Sequence, residues 1–210
     1  MRVILLRHGE TAWNRDGVFR GIEDVPLNDQ GKEQASRTGQ YLQRVKLSAV
    51  FSSPLSRSRD TALLAARPQK LPVEEVSFLN DMDFGQWQGL PVEDAESRWP
   101  EEYGKWLTSP HQFQAPGGES LEGVFQRASK GLENLLADGD TGNLLLVSHR
   151  VIIKLLLLWA IGADSSGFWR FRVDPCSLSF IILKKGYSII ERMNDTCHLE
   201  ELSSSDRLHF

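Results

Sequence analysis

Short apolar runs punctuate this chain, and each stops at polar residues. Val3 to Leu6 reads as a buried strand that runs into Arg7 and His8. Ala49 to Ser52 reads as a second strand and Leu71 to Val76 as a third. Leu144 to Val147, entered through the Gly142–Asn143 turn, reads as a central strand ending in Ser148 and His149. Between these runs the apolar period becomes helical. Asn28 is placed as an N-cap with Asp29 in the first turn, and Ala35, Thr38, Leu42 and Val45 share a face. Pro54 marks a turn before a helix that starts near Ser56 and carries Thr61, Ala62, Ala65 and Ala66. The run Pro116 to Ser120 opens an amphipathic helix with Leu121, Val124, Phe125, Ala128, Leu132 and Leu135 as its stripe. A Leu-rich helix follows His149 at once. Ser177 to Leu183 and Ser188 to Arg192 predict a closing strand pair around Lys185–Gly186.

Two segments depart from this alternation. Asn80 to Pro116 holds Trp87, Trp99 and Trp106 with few apolar runs, and is expected to lie over the sheet as loops and short helices, its tryptophans packing it down. Residues 195–210 are expected to form a polar, partly mobile tail. The rest predicts an α/β fold: a three-layer α/β/α sandwich with a mainly parallel sheet, in one domain spanning 1–210. Ligands of such sheets bind beyond the carboxyl ends of the strands.

Composition narrows the function classes. The chain has 210 residues, 40% hydrophobic and 25% charged, enough for a full core. A net charge of −4 argues against an extended nucleic-acid surface, so a cationic site has to be local. Cys176 and Cys197 have no disulfide, zinc or CxxC spacing, which suits a reducing, cytoplasmic setting. Arg7 and His8 interrupt the first apolar run too early for a signal peptide, and the run containing Lys154 is too short to span a bilayer.

Three strand ends then deliver Arg7 and His8, Ser52 and Ser53 with Arg57 nearby, and Ser148 and His149. If the strands are parallel, two arginines, two histidines and two helix N-termini converge. Such a set favours a tetrahedral phosphoryl group, because it offers more donors than a carboxylate can use. Flanking arginines keep His8 neutral and nucleophilic, and His149, cationic or hydrogen-bonding, holds the equatorial oxygens. An acid is still needed for the leaving oxygen. Asp81, Asp83, Glu10 and Glu119 all have suitable loop positions.

The segments LLRHGETAWN, SSPLSRSRDTA, FLNDMDFGQWQG, PGGES and LLLVSHR together resemble, in this order, the histidine phosphatase superfamily, the phosphoglycerate-mutase-like group. The resemblance covers Val3 to about Leu183. It implies that His8 is the phosphorylated nucleophile, that Arg7, Arg57 and His149 form the phosphate pocket, that Asn14 adds a donor, and that Asp81 is the acid. The family usually has Glu at that last position, so the shorter Asp81 needs a closer loop or a relaying water. Arg150 stands where the family often has a small residue. It either reaches substrate or is an exposed first-turn residue, and the second is favoured because a cation does not help a helix N-terminus.

The resemblance implies a metal-independent phosphomonoester hydrolase that needs no cofactor and acts on a small phosphorylated metabolite, releasing inorganic phosphate. Substrate choice is assigned to Arg20, Gly21 and the excursion. The family's mutases are typically longer, with closing segments, so a mutase is the alternative, as is a non-catalytic phosphate-binding module. The PCSLSF and TCHLEEL segments look similar to metal-independent phosphoserine phosphatases, which carry a His where Phe84 stands here. Phe84 and Trp87 instead suggest an apolar side to the pocket. The DMDFG run at Asp81 to Gly85 lacks the final Thr or Val of a Mg²⁺-dependent DxDx(T/V) box, and no P-loop, kinase glycine loop or CxxxxxR loop accompanies it. Neither nucleic acid nor membrane is an expected partner. An edge strand or the C-terminal segment around Trp169 and Phe171 could serve a homodimer, which the sequence itself does not show.

Overall fold

The structure is a computed structural model that describes residues 1–137 and 142–202. In chain order it contains β1 (Arg2–Arg7), α1 (Ala12–Arg15), α2 (Asp29–Leu42), β2 (Ala49–Ser52), α3 (Ser56–Ala66), β3 (Val73–Glu75), α4 (Val92–Arg98), α5 (Pro100–Thr108), α6 (Leu121–Ala137), β4 (Asn143–Ser148), α7 (Arg150–Ala160), β5 (Leu178–Lys184) and β6 (Tyr187–Asp195). One sheet holds all six strands in the order β3-β2-β4-β1-β5-β6. The first four are mutually parallel; β5 runs antiparallel to β1, and β6 antiparallel to β5.

The unbroken apolar runs of β1 and β4 follow from burial on both faces. Val3 and Leu5 of β1, with Leu144 and Leu146 of β4, join the core beneath α6 and α7. Ile4 and Leu6, with Leu145 and Val147, join the opposite core beneath α2 and α3. This produces the expected α/β/α layering. The helix starts also match their sequence signals. Asn28 Oδ1 accepts from Gly31 N at 2.7 Å, capping α2. Leu55 cannot cap α3, and Asp24 Oδ1 accepts from Ser56 N at 2.8 Å instead.

Because β1 pairs with β4 at Arg7–Ser148 and β2 pairs with β4 at Ser52–Val147, three carboxyl ends lie side by side. The turn after β1 passes against the first turn of α2. A Cβ on Gly9 would overlap the Gly31 backbone, and one on Gly31 would overlap Glu10, so only glycine permits this approach.

Some boundaries shift. β3 is shorter than Leu71 to Val76, being an edge strand paired over three residues. Val45 lies beyond the end of α2 but still packs on the core. The excursion consists of α4, α5 and short 3₁₀ turns, seated by buried Trp87, Trp106 and Phe113. The expected polar tail needs correction. Cys197–Leu202 form a 3₁₀ helix against α2, where Leu199 is buried, and the His198 ring stacks on Tyr41 at 5.2 Å. The leucine and the ring give this polar-looking segment an apolar face. Residues 203–210 of that tail lie outside the described residues.

Candidate active site

The carboxyl ends of β1, β2 and β4 deliver Arg7 and His8, Ser52 and Ser53, and Ser148 and His149 to one edge of the sheet. Burial there is nearly complete: His8 is 1% exposed, Arg57 and His149 0%. The His8 and His149 ring centroids are 5.2 Å apart. His8 Nδ1 lies 2.7 Å from the Gly9 carbonyl oxygen. A carbonyl only accepts, so Nδ1 carries the proton and Nε2 keeps its lone pair. Burial, then Arg57, Arg7 and Arg20, hold the His8 pKa well below the usual imidazole value.

His149 is neutral for the same reasons, burial first and then Arg57, so it serves as a hydrogen-bonding group rather than a second cation. Its Nδ1 accepts from Arg57 Nε at 3.3 Å, which places the proton on Nε2, 2.9 Å from Ser53 Oγ. Ser58 Oγ lies 3.3 Å from the same nitrogen.

Arg57 is fixed by backbone. Its Nη1 donates to Glu23 O and its Nη2 to Gly21 O, each at 2.7 Å. Gly21 therefore orients Arg57 through its carbonyl while bordering the cavity. It has φ +55, and a Cβ there would meet Gln88. Arg7 Nη1 donates to Val173 O at 2.7 Å, while Arg7 Nε and Arg20 Nε are buried without a protein partner among the described residues. Burial lowers the pKa of Arg20 to about 9, with Arg150 adding repulsion. Asn14 Oδ1 accepts from Thr11 N and Oγ1, both at 2.9 Å, leaving the amide NH₂ as the donor end.

Among the acid candidates, Asp81 meets His149 and Arg57. Its Oδ2 lies 3.3 Å from Arg57 Nη2 and 3.6 Å from His149 Nδ1. The loop that carries Asp81 is held from several sides. Ser148 Oγ donates to Leu79 O at 2.6 Å, Ser53 Oγ donates to Asn80 Oδ1 at 3.0 Å, and Arg127 of α6 donates to the carbonyls of Phe78, Asn80 and Asp81 at 3.1–3.3 Å. Asp83 and Glu119 serve the fold instead: Asp83 Oδ1 accepts from Gly85 N, and Glu119 pairs with Arg127 at 3.0 Å. Glu10 borders the cavity, and its Oε1 accepts from Asn28 Nδ2 at 2.9 Å.

The site opens into a cavity of about 930 Å³ that Arg7, Asn14, Arg20, Gly21, Asp81 and Arg150 all line. Arg150 is half-buried rather than an exposed first-turn residue, with its guanidinium 5.8 Å from the Trp169 ring. The repulsion expected at a helix N-terminus is offset by that ring and by the nearby Asp81 charge. Phe84 lines the cavity as expected. Trp87 does not: it is fully buried behind Phe19 and Phe113, each at 4.9 Å between centroids. Trp169 and Phe171 line the cavity too.

Known proteins share this fold. The histidine phosphatase superfamily (branch 1) matches residues 3–196. The chain belongs to that superfamily. Membership makes it an enzyme of the phosphatase type. It is 35% identical to Phosphoserine phosphatase 1 of Hydrogenobacter thermophilus, over 96% of this chain and 95% of that one. Among solved structures, the alpha-ribazole phosphatase of Shigella flexneri superposes with a TM-score of 0.85 at 32% identity, over 93% of this chain and 96% of that one. Bacillus stearothermophilus YhfR does so with a TM-score of 0.89 at 25% identity, over 94% and 98%.

Membership excludes the Mg²⁺-dependent aspartate reading of Asp81 to Gly85. Nor is a cysteine nucleophile available: burial pushes the Cys176 thiol up to about 12, and Cys197 is exposed and apart from the cavity lining. Among the described residues no helix is long and apolar enough to cross a membrane, and no cluster of three His, Cys, Asp or Glu is arranged for a metal.

Sequence reasoning missed several residues here. Ser58 and the Val173 carbonyl carry no local signal. Arg127 is visible only as a cation on the otherwise amphipathic α6. Lys154, one turn after Arg150, breaks an apolar run and lines the cavity.

Proposed function

We propose that this protein is a metal-independent phosphomonoester hydrolase, working through a phosphohistidine on His8 and acting on a small phosphorylated metabolite. The observation that carries the proposal is the His8 Nδ1 contact to the Gly9 carbonyl at 2.7 Å, which leaves Nε2 as a neutral nucleophile among Arg7, Arg20 and Arg57. The guanidinium nitrogens Arg7 Nε and Arg20 Nε, buried and without a protein partner among the described residues, are donors suited to phosphoryl oxygens.

In the first step His8 Nε2 attacks phosphorus in line. The bond from phosphorus to the ester oxygen breaks, and Asp81 gives that oxygen its proton, releasing the alcohol. Arg7, Arg57 and Asn14 hold the remaining oxygens as charge spreads over them, and His149 joins them by turning its Nε2 proton from Ser53 Oγ to a phosphoryl oxygen. In the second step water attacks the phosphohistidine, Asp81 takes the proton from that water, and inorganic phosphate leaves with His8 regenerated. The shorter Asp81 works here because Arg127, Ser148 and Ser53 anchor its loop.

The relatives are named as phosphatases for phosphoserine and alpha-ribazole phosphate, which favours hydrolysis over a mutase reaction. The cavity far exceeds what a phosphoryl group fills, and Phe84, Trp106 and Trp169 on its wall favour an alcohol with an apolar face. The free thiols of Cys176 and Cys197 are consistent with a cytoplasmic setting.

The test is hydrolysis of p-nitrophenyl phosphate in EDTA. Wild type is expected to turn over undiminished, and His8→Ala to lose at least about a thousandfold in kcat/KM. Dependence on added metal, or a His8→Ala variant that keeps its activity, would overturn the proposal. Phosphate binding without turnover would favour the binding-module reading.

A further inference from the structure

Lys154 sits in the most apolar helix of the molecule. Val151, Ile152, Ile153 and Leu155 to Leu158 around it are all buried, and Lys154 itself is only 3% exposed. A methionine or leucine there would avoid the desolvation of an ammonium. The amine is caged by aromatic rings. Nζ lies 4.4 Å from the Trp169 centroid, 4.6 Å from Phe168 and 5.8 Å from Phe171, and it donates to Phe168 O at 3.1 Å. An ammonium has three donors, and that carbonyl uses one. Among the described residues no carboxylate pairs with it.

The charges that act on Lys154 are Arg150 on its own helix and Arg7 from β1, both cations. Burial first, and then their repulsion, brings its pKa down to about 7. An anion is what this position lacks. Arg150, four residues earlier on the same helix face and about 6 Å away along the axis, meets the same aromatic ring, with its guanidinium 5.8 Å from the Trp169 centroid. Both side chains line the cavity that also holds Arg7 and Asp81.

We propose that Lys154 and Arg150 form a second anion subsite, on the aromatic side of the cavity, that takes a negatively charged substrate group other than the phosphoryl being transferred. The substrate class is then a phosphomonoester bearing a carboxylate or a second phosphate. This rests on the reading of the cavity as a phosphomonoester hydrolase site. Lys154 is a specificity residue in this account, and its bond to Phe168 O alone would make it only a pin for the 165–170 turn.

The test compares matched esters: O-phosphoserine against O-phosphoethanolamine for a carboxylate, and propane-1,3-diol bisphosphate against the monophosphate for a second phosphate. Each is measured as a substrate, or as an inhibitor of p-nitrophenyl phosphate turnover. Wild type is expected to prefer the doubly anionic member of one pair by about tenfold or more, and the pair that responds identifies the anion. Lys154→Met and Lys154→Gln are both expected to reduce that preference about tenfold or more. The glutamine keeps a donor for Phe168 O, which separates charge from pinning and guards against a methionine variant that does not fold. No preference in wild type for either pair, or a preference unchanged in the variants, would overturn the subsite. Loss of p-nitrophenyl phosphate turnover by wild type itself would instead contradict the hydrolase reading.

Discussion

An imidazole attacks phosphorus only if one nitrogen is free and its proton is held on the other, and the Gly9 carbonyl does this to His8. Burial and three arginines then keep the ring unprotonated. The sign is definite for both histidines. Their folded-state pKa values lie below the ordinary 6.5, so each stays neutral where an exposed histidine is mostly protonated. NMR of the imidazole resonances is therefore expected to show no titration of His8 or His149 between about pH 7.5 and about pH 6. Titration of both near 6.5 would contradict this electrostatic picture. Below 6.5 the unfolded chain takes up these protons first, so their contribution to stability falls as pH drops through that value. Asp81 carries a different expectation. Asp81→Ala should lose about a hundredfold or more on alkyl phosphates, whose leaving oxygen needs a proton, and much less on p-nitrophenyl phosphate, whose leaving group does not. Equal losses on both would remove its role as acid.

Single elements explain what the sequence revealed and what it concealed. The ends of β1, β2 and β4 were legible because strands buried on both faces are continuous apolar runs, and the first polar residue marks where each leaves the core. The N-cap at Asn28 was legible because its signal is local. Arg150 was misplaced because local helix electrostatics ignores Trp169 and Asp81, which come from elsewhere in the chain. The last segment looked like a polar tail because its buried anchor, Leu199, stands among polar and charged neighbours. Trp87 and Phe84, three residues apart, could not be assigned to core and cavity without the 3₁₀ turn Gly85–Trp87. Arg127 shows how an element acts at a distance, since α6 uses it to hold three carbonyls of the loop bearing Asp81. Arg127→Met is expected to lower kcat on alkyl phosphates about tenfold or more, with a smaller change on p-nitrophenyl phosphate. A uniform loss on both, tracking a fall in Tm, would mean that Arg127 only supports the fold.

Across the whole molecule, the sheet edge supplies the phosphoryl chemistry, and the segments that cross over it supply the cavity. Residues from the excursion, from the turn before β5 and from the C-terminal 3₁₀ helix meet there, with Tyr103, Trp106, Trp169 and Leu199 among them. Trp106 joins these parts: it contacts Phe84, Phe113, Phe168 and Trp169 at 4.9–5.5 Å, and its carbonyl accepts from Trp169 Nε1. Trp106→Ala is expected to cost about 3–5 kcal/mol and to lower Tm by roughly 6–20 °C. A variant with unchanged Tm would mean that the excursion is not seated by this residue. The sequence placed the excursion over the sheet, but the composition of the wall depends on contacts between segments up to 166 residues apart, such as Arg7 with Val173, which no local pattern encodes.

The central claim is a covalent phosphohistidine on His8, and rapid-quench kinetics with p-nitrophenyl phosphate tests it most directly. The good leaving group makes phosphoryl transfer to the enzyme fast, so hydrolysis of the intermediate should limit turnover. The account expects a burst of about one p-nitrophenolate per active site, with an acid-labile, alkali-stable phosphoryl label that maps to His8 and is absent from His8→Ala. Linear product release without label, together with a His8→Ala variant that still hydrolyses the ester, would contradict it.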